Sequence, residues 1–426
     1  MFQSKAKKSS RAFLHALMLT TLTLVGASDA FALPSFARQT GESCDACHVG
    51  SFGPQLTPHG MKFKIGGYTE SDGKPGHIPL AAMLIETYTH TSADLPEAPK
   101  FFSTNNNTAM QELSAFLAGK WFDNVGSFAQ VTFSGVEKKT SLDNVDIRYA
   151  SDKLLGEGAT FGVSLNNSPG FQDPFNTLPG FRFPYTSSDF GASPGVTVLL
   201  DDFVAGQVFG ASAYAQLANG VYAEFGGYHA LSKGFLDKVN LGADNEVRGI
   251  APYARLAYFK DMKSEAFSVG LVGMSAKTRE GYDSANSAEK RTDIGVDAHY
   301  QLLGNRMNIW SVNGAYIHEN GPENANQFNV AGSYYFDKTY GATVRYFSVT
   351  GKLDDGTETG TMVNGDSRGL QFQADWTPFG KESSWNAPWA NLRLGLQYTM
   401  FNKLDGESAS DSKDANTLMV FAWLSL

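Results

Sequence analysis

From Leu80 to Leu426 apolar and polar residues alternate along the chain, the period of strands whose two faces meet different surroundings. In Leu370-Gln371-Phe372-Gln373-Ala374-Asp375-Trp376, Leu, Phe, Ala and Trp share one face while Gln, Gln and Asp share the other. Val145-Asp146-Ile147-Arg148-Tyr149 and Ile294-Gly295-Val296-Asp297-Ala298-His299-Tyr300 repeat the pattern. It predicts sixteen strands, near 80–91, 109–121, 125–137, 142–153, 158–167, 203–217, 220–231, 248–260, 264–276, 291–302, 306–318, 326–337, 340–350, 367–377, 389–402 and 415–426.

A soluble sandwich shares this period, so the connections decide. Long gaps at 92–108, 168–202, 232–247, 277–290, 351–366 and 403–414 are interleaved with short turns such as Phe122-Asp123-Asn124, Ala218-Asn219 and Lys338-Thr339. That rhythm belongs to an outer-membrane barrel with long outer loops and short periplasmic turns. Gaps 138–141 and 319–325 are brief for outer loops, and 378–388 is long for a turn. The expected fold is all-β, a 16-stranded antiparallel transmembrane β-barrel over 80–426 that ends in an apolar, aromatic strand. An even strand number puts both barrel ends in the periplasm, so the segment before Leu80 enters from there.

The chain before Leu80 reads differently. Lys5, Lys7, Lys8 and Arg11 precede a largely apolar run from Phe13 to Gly26, and Ala30-Phe31-Ala32 offers a small-x-small cleavage pattern, so residues 1–32 read as an export signal. Its apolar run is short of the ~20 residues of a membrane-spanning helix. Mature residues 33–79 are rich in Gly, Pro and His, and they are too few to fold alone. Thr57-Pro58 reads as the cap of a short helix, and the segment requires packing by the barrel beyond it.

Composition narrows the classes further. The 32 residues of the signal carry four positive charges and one negative, so its removal takes the net charge from −9 to −12, which disfavours nucleic acid as a partner. Mean hydropathy is −0.24, against a helical membrane protein, while 44 Gly, 31 Phe and 17 Tyr suit aromatic-faced strands.

The two cysteines of the chain sit in Cys44-Asp45-Ala46-Cys47-His48. This is the spacing for covalent c-type haem: two thiols add to the vinyl groups on one porphyrin edge, and the following imidazole becomes the proximal iron ligand. A zinc site would need a second ligand pair, and a thioredoxin-like motif would need a βαβ context. A structural disulfide is the plain alternative. The expected cofactor is one haem c held by Cys44, Cys47 and His48, in a monohaem segment over 33–79.

Phe36-Ala37-Arg38-Gln39-Thr40-Gly41 before Cys44, Leu56-Thr57-Pro58 with Phe63-Lys64-Ile65-Gly66-Gly67-Tyr68 after His48, and the loop from Asn166-Asn167-Ser168-Pro169 to Phe183-Pro184-Tyr185 resemble the fused monohaem cytochrome-porins of iron-oxidising bacteria. The resemblance implies an outer-membrane location and oxidation of extracellular Fe(II), with the electron passed to a periplasmic c-type cytochrome. It fixes architecture better than substrate, since related fusions share the motifs.

His59, Met61, His77, Met83 and His90 are candidates for the second axial ligand. A thioether raises the haem potential relative to imidazole, which favours a methionine. The resemblance matches a methionine placed like Met83, so the expected iron ligands are His48 and Met83. Arg38 suits a haem propionate. Asp146, Arg148, Asp293, Asp297, His299 and Asp375 are expected in the lumen, where Asp297 with His299 suits a divalent iron in transit, although charged interiors are ordinary in porins. The 168–202 loop, with Gln172, Asp173 and Asn176, is placed to fold inward.

Two functions fit this sequence. One is an Fe(II)-oxidising outer-membrane cytochrome, or a haem porin with another extracellular donor, which needs potential and distance but no triad or phosphate loop. The other is a transport porin whose cysteines form a disulfide.

Overall fold

Each barrel strand of the computed structural model hydrogen-bonds to its neighbours in the chain, and the last returns to the first. The structure describes residues 33–178, 186–354 and 362–426; the export signal expected over 1–32 and Phe183-Pro184-Tyr185 lie outside them. The strands are β1 (Leu80–Thr91), β2 (Asn107–Phe122), β3 (Val125–Ser134), β4 (Lys139–Ser151), β5 (Thr160–Asn166), β6 (Val208–Gln216), β7 (Val221–Ala230), β8 (Ala251–Asp261), β9 (Glu265–Glu280), β10 (Glu289–Leu302), β11 (Asn308–Asn320), β12 (Ala325–Phe336), β13 (Tyr340–Thr350), β14 (Ser367–Trp376), β15 (Asn391–Lys403) and β16 (Thr417–Ser425). A three-residue strand, Asn245–Val247, adds to the outer end of β9. The seam pairs Met83 with Ser425 and Thr91 with Thr417, and Ala82 and Leu426 exchange two backbone bonds of 2.8 Å. Lipid offers no hydrogen bonds, so only closure satisfies every edge group.

The side chains are inside out relative to a soluble protein. Phe225, Leu256, Leu271 and Ile294 are exposed, while their chain neighbours Glu224, Arg255 and Asp293 are buried in the lumen. Trp121, Trp310, Tyr340 and Trp376 ring the turn end and Tyr88, Tyr316, Tyr346 and Tyr398 the loop end, with Tyr340 and Trp376 stacked at 6.5 Å. An apolar band between aromatic girdles is the surface of an outer-membrane barrel, and this chain forms one. No described helix is long and apolar enough to cross a membrane.

Residues 33–79 fill the periplasmic mouth. Their helices are α1 (Pro34–Thr40), α2 (Cys44–Cys47) and α3 (Pro58–Ile65). As Thr57-Pro58 predicts, the Thr57 hydroxyl caps α3 by accepting from the Gly60 amide, and Pro58 occupies its first turn. Helices this short are unstable alone, so the wall holds them. Gln55 donates to Ser311 on β11 (2.6 Å), Gln301 on β10 to the Leu56 carbonyl (2.7 Å), and Tyr214 on β6 to the Ile65 carbonyl (2.6 Å). Tyr68 donates to Asp146 on β4 (2.6 Å), and Lys62 pairs with Asp261 of β8 (2.6 Å).

The unusually long turn after β14 is part of this grip. Gly380 lies so close to Ser51 that a Cβ would come within 2.3 Å of it, and the Arg38 guanidinium sits 4.8 Å from the centre of the Trp389 ring. The described parts of the 168–202 loop, 168–178 and 186–202, do fold inward. Lys64 donates to the carbonyls of Phe171 (2.8 Å) and Asp173 (2.9 Å) and to Asn176 Oδ1 (3.0 Å), so loop and plug meet in the lumen. The strand expected from 203 begins at Val208 instead. Before it, the amides of Leu199 and Leu200 are held by Glu319 (3.1 Å) and Asp293 (2.9 Å), which keeps that apolar run inside as loop rather than wall.

Candidate functional site

Helix α2 puts Cys44 and Cys47 on one turn, and the His48 amide closes it on the Cys44 carbonyl (2.8 Å). His48 itself is extended, at φ −122° and ψ 137°, and pairs with Leu56, so the chain doubles back beneath its ring. Gly53 forms the floor there: a Cβ would lie 3.0 Å from His48 Cε1. Gly60 lets α3 pack on the motif, since a Cβ would lie 2.3 Å from the Cys47 carbonyl oxygen.

The imidazole lines a cavity of about 330 Å³ walled by Phe52, Phe116, Phe128, Phe171 and Trp423. Met83 lines the same cavity, because the alternation of β1 turns Ala81, Met83 and Ile85 inward. The other ligand candidates are elsewhere. Met61 is packed among Ile65, Phe175, Tyr214 and Tyr222. His59 sits 2.8 Å from Glu42 and 3.6 Å from Glu70, His77 pairs with Asp72 (2.8 Å), and His90 is exposed beside Asn106 (2.9 Å). Of the five, the structure brings Met83 alone to the cavity that His48 lines.

Cys44 is fully buried, and its Sγ accepts from Asn391 Nδ2 (3.2 Å), whose amide also donates to the Ser51 carbonyl (2.9 Å). The two cysteines are separate thiols. Burial, with the charge of Asp45, pushes the Cys44 thiol well up, and burial with Glu42 pushes Cys47 to about 12. Burial also lowers His48 to about 4, which leaves a neutral imidazole with a free lone pair. Glu42, Cys47 and His59 bring ligand atoms within 4.8 Å of one another, yet a thiol held neutral is a poor metal donor, whereas a thioether bond to a porphyrin needs no charge.

These residues fit a c-type haem. His48 Nδ1 and Trp423 Nε1 are buried without hydrogen-bond partners, the walls are aromatic, and Asn391, which holds Cys44, borders the cavity. Arg38 does not border it. Its guanidinium donates to the Leu80 carbonyl (2.5 Å) and covers Trp389, so the expected propionate contact is replaced by one that fastens the plug to the barrel rim.

All six lumen candidates are buried inside. Asp146 and Arg148 pair at 2.8 Å, and Arg148 also donates to the Gln172 carbonyl, joining wall, plug and loop. Asp375 pairs with Arg393 (3.0 Å). The iron site weighed at Asp297 and His299 gives way to the ordinary charged interior: Arg255 grips Asp297 with two bonds (2.9 and 2.8 Å), Thr177 adds a third (2.6 Å), and His299 Nδ1 meets Ser268 (2.7 Å). A carboxylate so engaged has little to offer a passing cation.

The cavity also contains residues that sequence reasoning missed. Trp423 was readable, since the period of β16 puts Met419, Phe421 and Trp423 on one face. Asp143 was not. Glu112 follows the inward face of Ser114 and Phe116 up to the β1–β2 register shift, whereas the shift between β3 and β4 turns Asp143 into the cavity against a strict two-residue period.

No family model matches the chain, and no curated protein matches it. Among solved structures it is similar to a Salmonella typhi OmpF in complex with daunomycin, at 12% identity and a TM-score of 0.47 over 82% of this chain and 97% of that one. It is also similar to the outer membrane channel DcaP of Acinetobacter baumannii, at 11% identity and 0.45 over 82% and 96%. A third similarity is to an anion-selective porin from Comamonas acidovorans, at 13% and 0.45 over 81% and 98%.

Proposed function

We propose that this barrel is an outer-membrane electron-transfer protein carrying one haem c, which oxidises extracellular Fe(II) and passes the electron to a periplasmic c-type cytochrome. The observation that carries the reading is the meeting of His48 and Met83 in one aromatic-walled cavity, although one comes from the plug and the other from the wall. Cys44 and Cys47 would tether the porphyrin, with His48 and Met83 as axial ligands. The bound haem supplies an iron that cycles between ferrous and ferric states. Every other contribution comes from the chain. The thioether of Met83 favours the ferrous state relative to a second imidazole, as an acceptor for Fe(II) needs. Phe52, Phe116, Phe128 and Phe171 keep water from the site, and the plug opens the Cys47 side toward the periplasm, where His59, Glu42 and Glu70 are partly exposed. Those carboxylates suit a cationic partner.

A haem stain of outer-membrane fractions tests the first half. A stained band at the barrel's mass that disappears in Cys44→Ser/Cys47→Ser is expected, and a folded but unstained barrel would end the reading. Anaerobic mixing of the stained protein with Fe(II) tests the second half, with reduced haem bands as the expected outcome.

The barrel by itself supports the other reading, a transport porin. What favours it is a second cavity of about 300 Å³ toward the outer end, where Arg345, Gln371, Gln397 and Asp201 share the lining with Phe347, Val349 and Phe401, a mixed surface that a solute path can use. A full-length chain that binds no haem and conducts ions would establish it.

A further inference from the structure

The last strand carries a donor for which the described residues supply no acceptor. Trp423 is 8% exposed, its Nε1 is buried without a hydrogen-bond partner, and it borders the cavity shared by His48 and Met83. Its ring is fixed edge-on to Phe52 with centroids 5.1 Å apart, and its backbone lies opposite Ile85 and Arg393 in the neighbouring strands. An orphan buried N–H is costly, so a buried indole facing a cavity points to an acceptor brought by a ligand. The rim of a haem is apolar except for two carboxylates.

The far wall says which way those carboxylates face. Asp143 borders the cavity from β4, four strands round the wall, and ends in a carboxyl, whereas Trp423 and Ser425 border it from β16 with an N–H and a hydroxyl; Glu112 on β2 lies between, level with Trp423 through their shared partner Ile85. We propose that Trp423 is a positioning residue of the haem site, donating its Nε1–H to a haem propionate and turning the carboxylate edge toward β16, away from Asp143. This rests on the haem reading above. A propionate that accepts this bond has part of its charge neutralised, which makes the ferric state less favourable and raises the midpoint potential.

The test is the haem-loaded full-length protein with Trp423→Phe, which keeps the aromatic contact with Phe52 and removes the N–H. The expected result is a folded, heat-modifiable barrel with haem attached as in wild type, a lower midpoint potential, and a shifted propionate carboxylate band in infrared difference spectra of ¹³C-propionate haem. An unchanged potential and carboxylate band in a haem-loaded variant would overturn the proposal while leaving the haem reading intact. A wild-type chain that carries no haem would overturn both. If Trp423→Phe fails to fold, ultraviolet resonance Raman of the wild type decides. A buried indole N–H hydrogen-bonded in the holoprotein supports the proposal, and one that is unbonded in all buried tryptophans refutes it.

Discussion

Met83 and Met61 are the same residue type 22 positions apart, and their surroundings separate their roles. Met61 is 1% exposed inside an aromatic and aliphatic cluster, while Met83 is 7% exposed on the border of the His48 cavity. Met61→Ala should therefore cost about 2–5 kcal/mol through the void it leaves, seen as a lower denaturation midpoint with unchanged haem spectra. Met83→Ala should do the opposite, leaving the barrel folded while the potential falls and the haem bands change. Identical spectra in Met83→Ala would remove it as a ligand. The motif from Cys44 to His48 was legible because it is local, five consecutive residues whose spacing is all that the proposed haem attachment requires. The residues alone gave five candidates for the proposed distal partner, and only the resemblance narrowed them to Met83. Which of them meets His48 depends on how a helical plug seats against β1, and no local pattern encodes that.

At the scale of elements, Arg255 on β8 links a strand to the inward loop. It grips Asp297 of β10 and lies 3.1 Å from Asp173 of the loop, with all three side chains fully buried or nearly so. Arg255→Met leaves buried Asp297 without its paired cation and Asp173 with Lys64 alone, and should cost about 3–5 kcal/mol. The measurement is hydrogen exchange over 168–178, which should rise well above that of the strands. Acid acts on the same contact. Burial works to raise the Asp173 carboxyl, but Arg255, the amides of Phe175 and Thr177, and Lys64 hold it below its usual 3.8. A depressed carboxyl stabilises above its unfolded value and loses that contribution as pH falls through the folded one. The loop should stay protected through mildly acid pH and loosen only below about pH 4; loosening near neutrality would place the latch elsewhere. The sixteen strands were legible because lipid outside and polar groups inside impose a two-residue period over each span. The loop's inward path was legible only as length. Glu319 and Asp293, the groups that draw Leu199 and Leu200 inside, are distant in sequence, so strand β6 seemed to begin too early.

The whole molecule is a closed wall around a plug, and the two parts answer to different solvents. Leu271 is exposed between Leu256 and Val296 in the apolar band, so Leu271→Arg should destabilise by up to about 2–4 kcal/mol if it lies near the bilayer midplane, measured by urea unfolding in vesicles. The same arginine is tolerated in the lumen, where Arg255 and Arg393 find carboxylates. That asymmetry is what makes the barrel readable without its partner segment. The plug matters for conduction. Residues 33–79 bond to β4, β6, β8, β10, β11 and β15, so they span the mouth rather than hang from one side, and Lys64 closes the remaining path by binding the inward loop. In planar bilayers the full chain should show little steady ion current, and Lys64→Met with Arg148→Met, which cut the plug from the loop, should raise it severalfold. A wild-type chain that conducts like an open porin would mean that solutes pass the plug, and the barrel would then serve transport rather than insulation of a single redox site.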